Sequence, residues 1–165
     1  MPIQAFADLN CSIARPLSFL GERWALLVLR DLFLGRRRFD EIQASLGIAS
    51  NVLSQRLATL TAEGIVERHR YSEHPERFEY RLTEKGRDLQ PVLLALLAWG
   101  DRYTAGPAGP PLEQVHTECG HAFHAVATCS ECGGAVDTRN VRTRPGPGAN
   151  EEQRRDAARR SRRAA

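Results

Sequence analysis

No apolar run in the chain approaches the roughly 20 residues that would span a bilayer. The opening residues, MPIQAFADLNCSIARPL, lack a cationic start followed by an apolar stretch. Together these absences predict a cytoplasmic protein without a secretion leader. Cysteine is scarce and uneven: Cys11 stands alone, while Cys119, Cys129 and Cys132 cluster late. In a chain with no export signal, clustered cysteines point to metal more than to disulfides. A basic body is also missing. Residues 143–165 carry seven Arg against three acids within a total of +3, so everything before them sums to −1. Net charge therefore makes no case for nucleic acid. Nor is there a Ser/His/Asp set, a phosphate-cradling glycine loop or an open metal site, so no enzyme is expected.

Hydrophobic residues make up 42% of the 165 positions, enough for one main domain with a small appendage. Residues 1–10 form an N-terminal arm, and residues 11–104 are dense in apolar periodicity. A Pro/Gly-rich linker over 105–115 cannot continue a helix. Residues 116–142 are rich in Cys and His. The remainder, 143–165, offers almost no apolar surface to bury and is expected to be a disordered basic tail.

Within the apolar segment, RWALLVLRDLFL has helical spacing, with Trp24, Leu27, Val28 and Leu32 on one face and Gly35 as its stop. A short helix follows with Phe39, Ile42 and Leu46 inward. Gly47-Ile48-Ala49 is a tight turn, and Ser50 is placed as the N-cap of a second helix with Leu53, Leu57 and Leu60 inward. Two short helices joined by a glycine turn make a helix-turn-helix. Gly64 stops the second helix, and β-prone residues 65–71 lead through the polar turn SEHPER to the alternating Phe78–Leu82. The predicted fold is mainly α with a small β-hairpin wing, a winged helix-turn-helix. Thr83 caps a further helix to about Tyr103, where Pro91 requires a kink or restart. Its Leu93, Leu94, Leu96, Leu97 and Trp99 cover more than one face, so part of that surface is expected to meet a second subunit.

Over about residues 11–103 the chain resembles the HxlR family of bacterial regulators. The resemblance rests on Cys11, Gly21 with Trp24, Arg38-Phe39, Leu53 through Leu57, and Gly64-Ile65-Val66. It continues through the Pro75 wing, Glu79-Tyr80, Leu82-Thr83, Gly86 and the Trp99-Gly100 ending. It implies a homodimer joined by its N- and C-terminal helices, which represses or activates nearby genes. Such proteins usually carry Pro directly after the early cysteine, where this chain has Ser12. Some respond to oxidants or electrophiles through that cysteine, which makes Cys11 a candidate redox sensor. The rival reading is a small buried hydrophobe. A small-molecule effector is equally open.

A recognition helix offers the major groove the face its buried leucines leave free. Here that face holds Ser50, Asn51, Ser54 and Gln55, with Arg56 and Thr59 towards its edges. Gln55 and Asn51 suit adenine edges. Arg36, Arg37 and Arg38 stand at the entry to the first helix of the motif, and Arg68, Arg70, His74 and Arg77 flank the wing. These suit phosphate or minor-groove contact on double-stranded DNA, and a twofold dimer implies a pseudo-palindromic operator.

His116-Thr117-Glu118-Cys119-Gly120 and Cys129-Ser130-Glu131-Cys132-Gly133 look alike: a ligand, two residues, a cysteine and a glycine. His116, Cys119, Cys129 and Cys132 complete a tetrahedral set with no open position, predicting a structural zinc in a ribbon-like appendage. His121 is an alternative to His116, and Cys129 with Cys132 is an alternative redox pair. The functional expectation is a DNA-binding regulator. Its rivals are a protein-interaction module on a winged-helix scaffold and a small redox enzyme, although no thioredoxin-like βαβ pattern flanks the cysteine pair.

Overall fold

The computed structural model describes residues 4–163. The chain divides into two compact units, Leu17–Ala125 and a second made of the residues before Leu17 together with those from Val126 on. The elements in chain order are α1 (Gln4–Ala7), α2 (Ala14–Leu20), α3 (Ala25–Phe33), α4 (Phe39–Leu46), α5 (Ser50–Ala62), β1 (Val66–Glu73), β2 (Glu76–Leu82), α6 (Glu84–Arg87), α7 (Gln90–Thr104) and α8 (Glu151–Arg163). No helix among the described residues is long and apolar enough to cross a membrane.

The core of the Leu17–Ala125 unit is built mainly from one stripe each of α3, α4 and α5. Val28 and Leu29 of α3, Ile42 of α4, and Leu53, Leu57 and Leu60 of α5 are buried to 1% exposure or less, together with Ile65 and Val66. The expected inward leucines of α5 are thus all inward. Glycine sets the joints: Gly47 ends α4 in the left-handed region at φ +61° and Gly64 follows α5 at φ +66°, conformations that other residues adopt only with strain. The helix-turn-helix and wing follow the sequence expectation. Two local details differ. Ala49, in extended backbone, occupies the cap position of α5, and Ser50 is its first helical residue. The hairpin strands also run further than expected, to Glu73 and from Glu76, because pairing continues past a bulge between Arg70 and Ser72.

Thr83 caps α6 as expected: its hydroxyl accepts from the Gly86 amide at 3.1 Å and donates to the Gly64 carbonyl at 2.7 Å. The helix restarts as α7 with Pro91 in its first turn, where a missing N–H costs nothing. Gly86 is buried, and α6 approaches the Ile65 carbonyl so closely that a Cβ there would strike it, which requires glycine at this position.

In the second unit, the segment expected to be a disordered tail carries the 13-residue helix α8. It is held by hydrogen bonds and buries little apolar surface. Asn150 and Gln153 bond reciprocally across the first turn, at 3.0 and 2.9 Å. Gln153 also donates to the Asn10 carbonyl at 2.6 Å and accepts from the Asn10 amide group at 2.8 Å. The unit boundary at 125/126 falls inside the expected 116–142 segment, so the two Cys/His motifs belong to different units.

Truncation of a buried leucine measures the packing that holds α5 in place. Leu57→Ala is expected to cost about 2–5 kcal/mol of unfolding free energy, read by urea denaturation. Ala58→Ser, one residue along on the exposed face, is expected to stay within about 0.5 kcal/mol of the parent.

Candidate nucleic-acid interface

With Leu53, Leu57 and Leu60 turned inward, α5 exposes Ser50, Asn51, Ser54, Gln55 and Ala58, and half-exposes Thr59. These residues form the polar face that a major groove could read. Arg56 has a different role from the one expected. Its side chain is 13% exposed and pairs with Glu22 at 3.1 Å, and it donates to the Gln55 side-chain oxygen at 3.2 Å. Arg56 therefore ties α5 to the turn before α3 and holds the side-chain oxygen of the exposed Gln55. Thr59 bonds back to the Gln55 carbonyl at 3.0 Å.

The arginine triplet is more tightly built than its sequence suggests. The Arg37 carbonyl accepts from the Tyr80 amide at 2.8 Å, and Arg38 makes an isolated antiparallel bridge with Glu79, so the segment before α4 is pinned alongside β2. Glu41 accepts from the amides of Arg37 and Arg38 at 3.0 Å each. Those two bonds, led by Arg38, together with the charges of Arg38 and Arg36, hold the Glu41 carboxyl below the usual carboxylate range. Arg37 and Arg38 are exposed, and the Arg38 guanidinium lies 5.0 Å from the Tyr71 ring centre.

Arg36 is bound to a residue the sequence reading passed over. Asp31 lies on the buried side of α3 with no exposed surface. Its Oδ1 accepts from Arg30 Nε at 3.0 Å and Nη2 at 2.7 Å, with Arg36 Nη1 at 3.5 Å. The Asp31 carbonyl also accepts from the Arg36 amide at 3.0 Å. Its position offers a sequence signal, an acid three residues after Val28 on the inward stripe of an apolar helix.

The wing places Arg68, Arg70, His74 and Arg77 at exposed positions. Arg68 stacks on Phe78, 3.3 Å from the ring centre. Arg70 pairs with Glu73 at 3.2 Å and Glu76 at 3.6 Å. Such exposed pairs are weak, so Arg70 can exchange a carboxylate for a phosphate at small cost.

Cys11 is exposed in the second unit. Backbone amides of Ala14 and then Ile13 hold its thiol below the usual range, with a smaller contribution from the charge of Arg15. It lines a cleft of about 600 Å³ with Arg15, Arg144 and Arg160.

The two Cys/His motifs fold identically. In the first, Gly120 N–H reaches the His116 carbonyl at 2.7 Å, His116 N–H the His121 carbonyl at 2.9 Å, and Phe123 N–H the Gln114 carbonyl at 2.9 Å. In the second, Gly133 reaches Cys129 at 2.8 Å, Cys129 reaches Gly134 at 2.8 Å, and Val136 reaches Ala127 at 2.9 Å. Every offset matches, and the turn glycines sit at φ +73° and +69°. Within each turn the donors converge: His116 Nδ1 lies 3.3 Å from the Cys119 sulfur. Cys129 bonds the backbone of Glu131 and Cys132 and the Cys132 thiol, which lowers its pKa. Among the described residues no group of three or more His, Cys, Asp or Glu lies close enough to hold a metal ion. His121 and His124 are exposed.

Residues 19–107 match the model of the HxlR-like helix-turn-helix family. The chain is 46% identical over 137 residues to an uncharacterised HTH-type transcriptional regulator of Mycobacterium tuberculosis strain H37Rv, covering 83% of this chain and 87% of that one. Among solved structures it is similar to PA1607, with 33% identity and a TM-score of 0.77 over 86% of this chain and 99% of that one. It is also similar to the redox regulator HypR in its oxidised form, with 32% identity and a TM-score of 0.54 over 58% and 100%. The exposed face of α5, the braced arginine segment and the wing all lie within the residues that match the family model. The chain belongs to the HxlR-like helix-turn-helix family of DNA-binding transcriptional regulators.

Proposed function

We propose that the protein acts in the cytoplasm as a homodimer that binds a pseudo-palindromic operator, with α5 in the major groove and the wing on the flanking backbone. The observation that carries this reading is the rotation of α5: its apolar stripe is wholly buried while Asn51, Ser54 and Gln55 stand together outside. Base discrimination falls to Gln55 and Asn51. Phosphate contact falls to Arg37 and Arg38, then to Arg68, Arg70, His74 and Arg77 on the wing, with Ser50 and Thr59 at the edges of α5. Arg36 contributes from its tether to Asp31. A face of α7 supports the dimer: Val92, Leu96, Trp99 and Tyr103 are each half or more exposed, and they recur on one side of the helix.

The test is binding to duplex from the region upstream of the protein's own gene, against random duplex, at two salt concentrations. Tight, salt-sensitive preference for the upstream fragment, footprinted as two half-sites, is the expected result. Gln55→Ala is expected to weaken that specific binding by about 1–3 kcal/mol and leave random-duplex affinity unchanged. Equal loss on both duplexes removes Gln55 from base reading.

We further propose a structural zinc with His116, Cys119, Cys129 and Cys132 as donors. Support comes from the donor chemistry and from two turns of one design, each presenting two donors beside a left-handed glycine. Cys129→Ser is expected to take metal content by atomic emission from about one zinc per chain to none, with the thermal transition of the Leu17–Ala125 unit retained. Undiminished zinc in that variant eliminates this donor set.

The third element of the proposal is regulation through Cys11, supported by the exposed thiol and the amides that favour its anion. Because that pKa is lowered, the thiolate is populated at a lower pH than for an ordinary cysteine near 8.5. Alkylation of Cys11 by iodoacetamide, followed by peptide mass spectrometry, is expected to reach half its maximal rate below that of a peptide thiol. A midpoint at or above the peptide value ends this role.

A further inference from the structure

We propose that the groove between α3 and α7 binds an apolar monocarboxylate whose anionic group engages Arg30, and that this ligand weakens DNA binding through Asp31 and Arg36. The groove lies within the Leu17–Ala125 unit and has a volume of about 540 Å³, in the range of small-molecule sites. Its walls are apolar: Leu26, Leu27 and Phe33 on one side, Leu93, Leu94 and Leu97 on the other. Of the exposed stripe assigned to the dimer, Val92, Trp99 and Tyr103 do not line the groove, and Leu96 stands on the edge the two surfaces share.

Two charged residues line it, Arg30 and Asp101. Arg30 is 45% exposed and directs Nε and Nη2 to a single oxygen, Asp31 Oδ1. Its Nη1 makes no hydrogen bond among the described residues. A carboxylate in the groove therefore meets a guanidinium with a free donor, against an apolar floor that strengthens the pair. A cationic ligand would turn instead to Asp101, but that residue has no link to the DNA-binding elements.

Arg30 does have such a link. Asp31 is wholly buried, and its second oxygen, Oδ2, has no hydrogen-bond partner. Both of its cations crowd onto Oδ1, Arg30 closely and Arg36 loosely at 3.5 Å. A ligand that draws Arg30 into the groove leaves this carboxylate with Arg36 alone. A buried carboxylate cannot be left unpaired, so Arg36 closes on it and withdraws from the phosphate side of the arginine segment. Coupling is reciprocal: bound DNA must weaken the ligand by the same factor.

The coupling rests on the regulator reading above, whereas the ligand site does not. Calorimetry on the full chain with decanoate and naphthoate, their primary amides and the amines of the same skeletons tests the site. The acids are expected to bind about tenfold or more tighter than the amides, as a charge-assisted hydrogen bond allows. Decanoate against naphthoate then separates a fatty from an aromatic ligand. Because Arg30→Gln alone would strand Asp31, the matching variant is Arg30→Gln with Asp31→Asn, in which acid and amide are expected to bind equally. In the parent, saturating acid is expected to lower affinity for the upstream duplex by about tenfold, and in the double variant to leave it unmoved. No binding by any compound, or amides and amines that match the acids, overturns the site. Acid preference with unchanged DNA affinity overturns the coupling. Absence of DNA binding by the ligand-free protein overturns the regulator reading and the coupling together, and the acid-to-amide ratio still decides the site.

Discussion

The rotation of one helix about its axis governs most of what this molecule can do. Leu53, Leu57 and Leu60 are spaced so that α5 has a single apolar stripe, and the hollow left by Val28, Leu29 and Ile42 accepts that stripe in one orientation. A turn of 100° would bury Ser54 and expose Leu53, at a cost of several kcal/mol for the apolar group alone. Asn51, Ser54 and Gln55 consequently share a face, and of the three Gln55 is set further by its bond from Arg56. The polar face follows from the apolar one. The Arg56–Glu22 pair refines the setting, since both side chains are largely covered and hold α5 against the start of α3.

Asp31 represents a second constraint of a different kind. Burying a carboxylate among the leucines of α3 costs several kcal/mol unless cations reach it, and here two arginines do. One of them belongs to the segment that presents Arg37 and Arg38 outward. That segment is also clamped by Glu41 from α4 and by Tyr80 from β2. Three elements therefore fix a short stretch of chain that would otherwise be a flexible polycationic loop. Preorganised cations meet phosphates with less entropy lost than mobile ones, so rigidity here favours binding.

The helix-turn-helix and the wing were legible in the sequence because their information is periodic and local. Leucines at 53, 57 and 60, glycines at 47 and 64, and alternation from Phe78 to Leu82 each specify conformation by spacing alone. The Thr83 cap and the restart at Pro91 could be read in the same way. Roles that depend on long-range pairing were not legible: nothing local marks Arg56 as a tether to Glu22, or Arg36 as half of a buried ion pair. The cap of α5 falls at Ala49, one residue before the expected Ser50, for a related reason, since a capping residue type does not guarantee the extended backbone that Ala49 adopts. The tail shows the limit of composition. Its lack of apolar residues suggested disorder, yet Asn150 and Gln153 form a capping signal, and Asn10 supplies two further bonds from the other end of the chain.

The body of this protein, near neutral or slightly acidic before the tail, shows that affinity for DNA need not follow from bulk charge. What matters within a Debye length of about 8–10 Å is which charges face the duplex and which are already answered. Glu22, Asp31 and Glu41 are directed at particular arginines or at the backbone that carries them, so they organise the cationic edge while taking little from it. Glu73 and Glu76 pair with Arg70 at the exposed wing tip, where water and salt weaken the attachment. Acidic residues on this scaffold thus serve two ends. Buried or amide-bonded ones position the cations, and exposed ones hold a cation weakly enough for a phosphate to displace them. A surface so arranged is suited to weak contact with a polyanion met at random and to tight contact only where groove and backbone are engaged together.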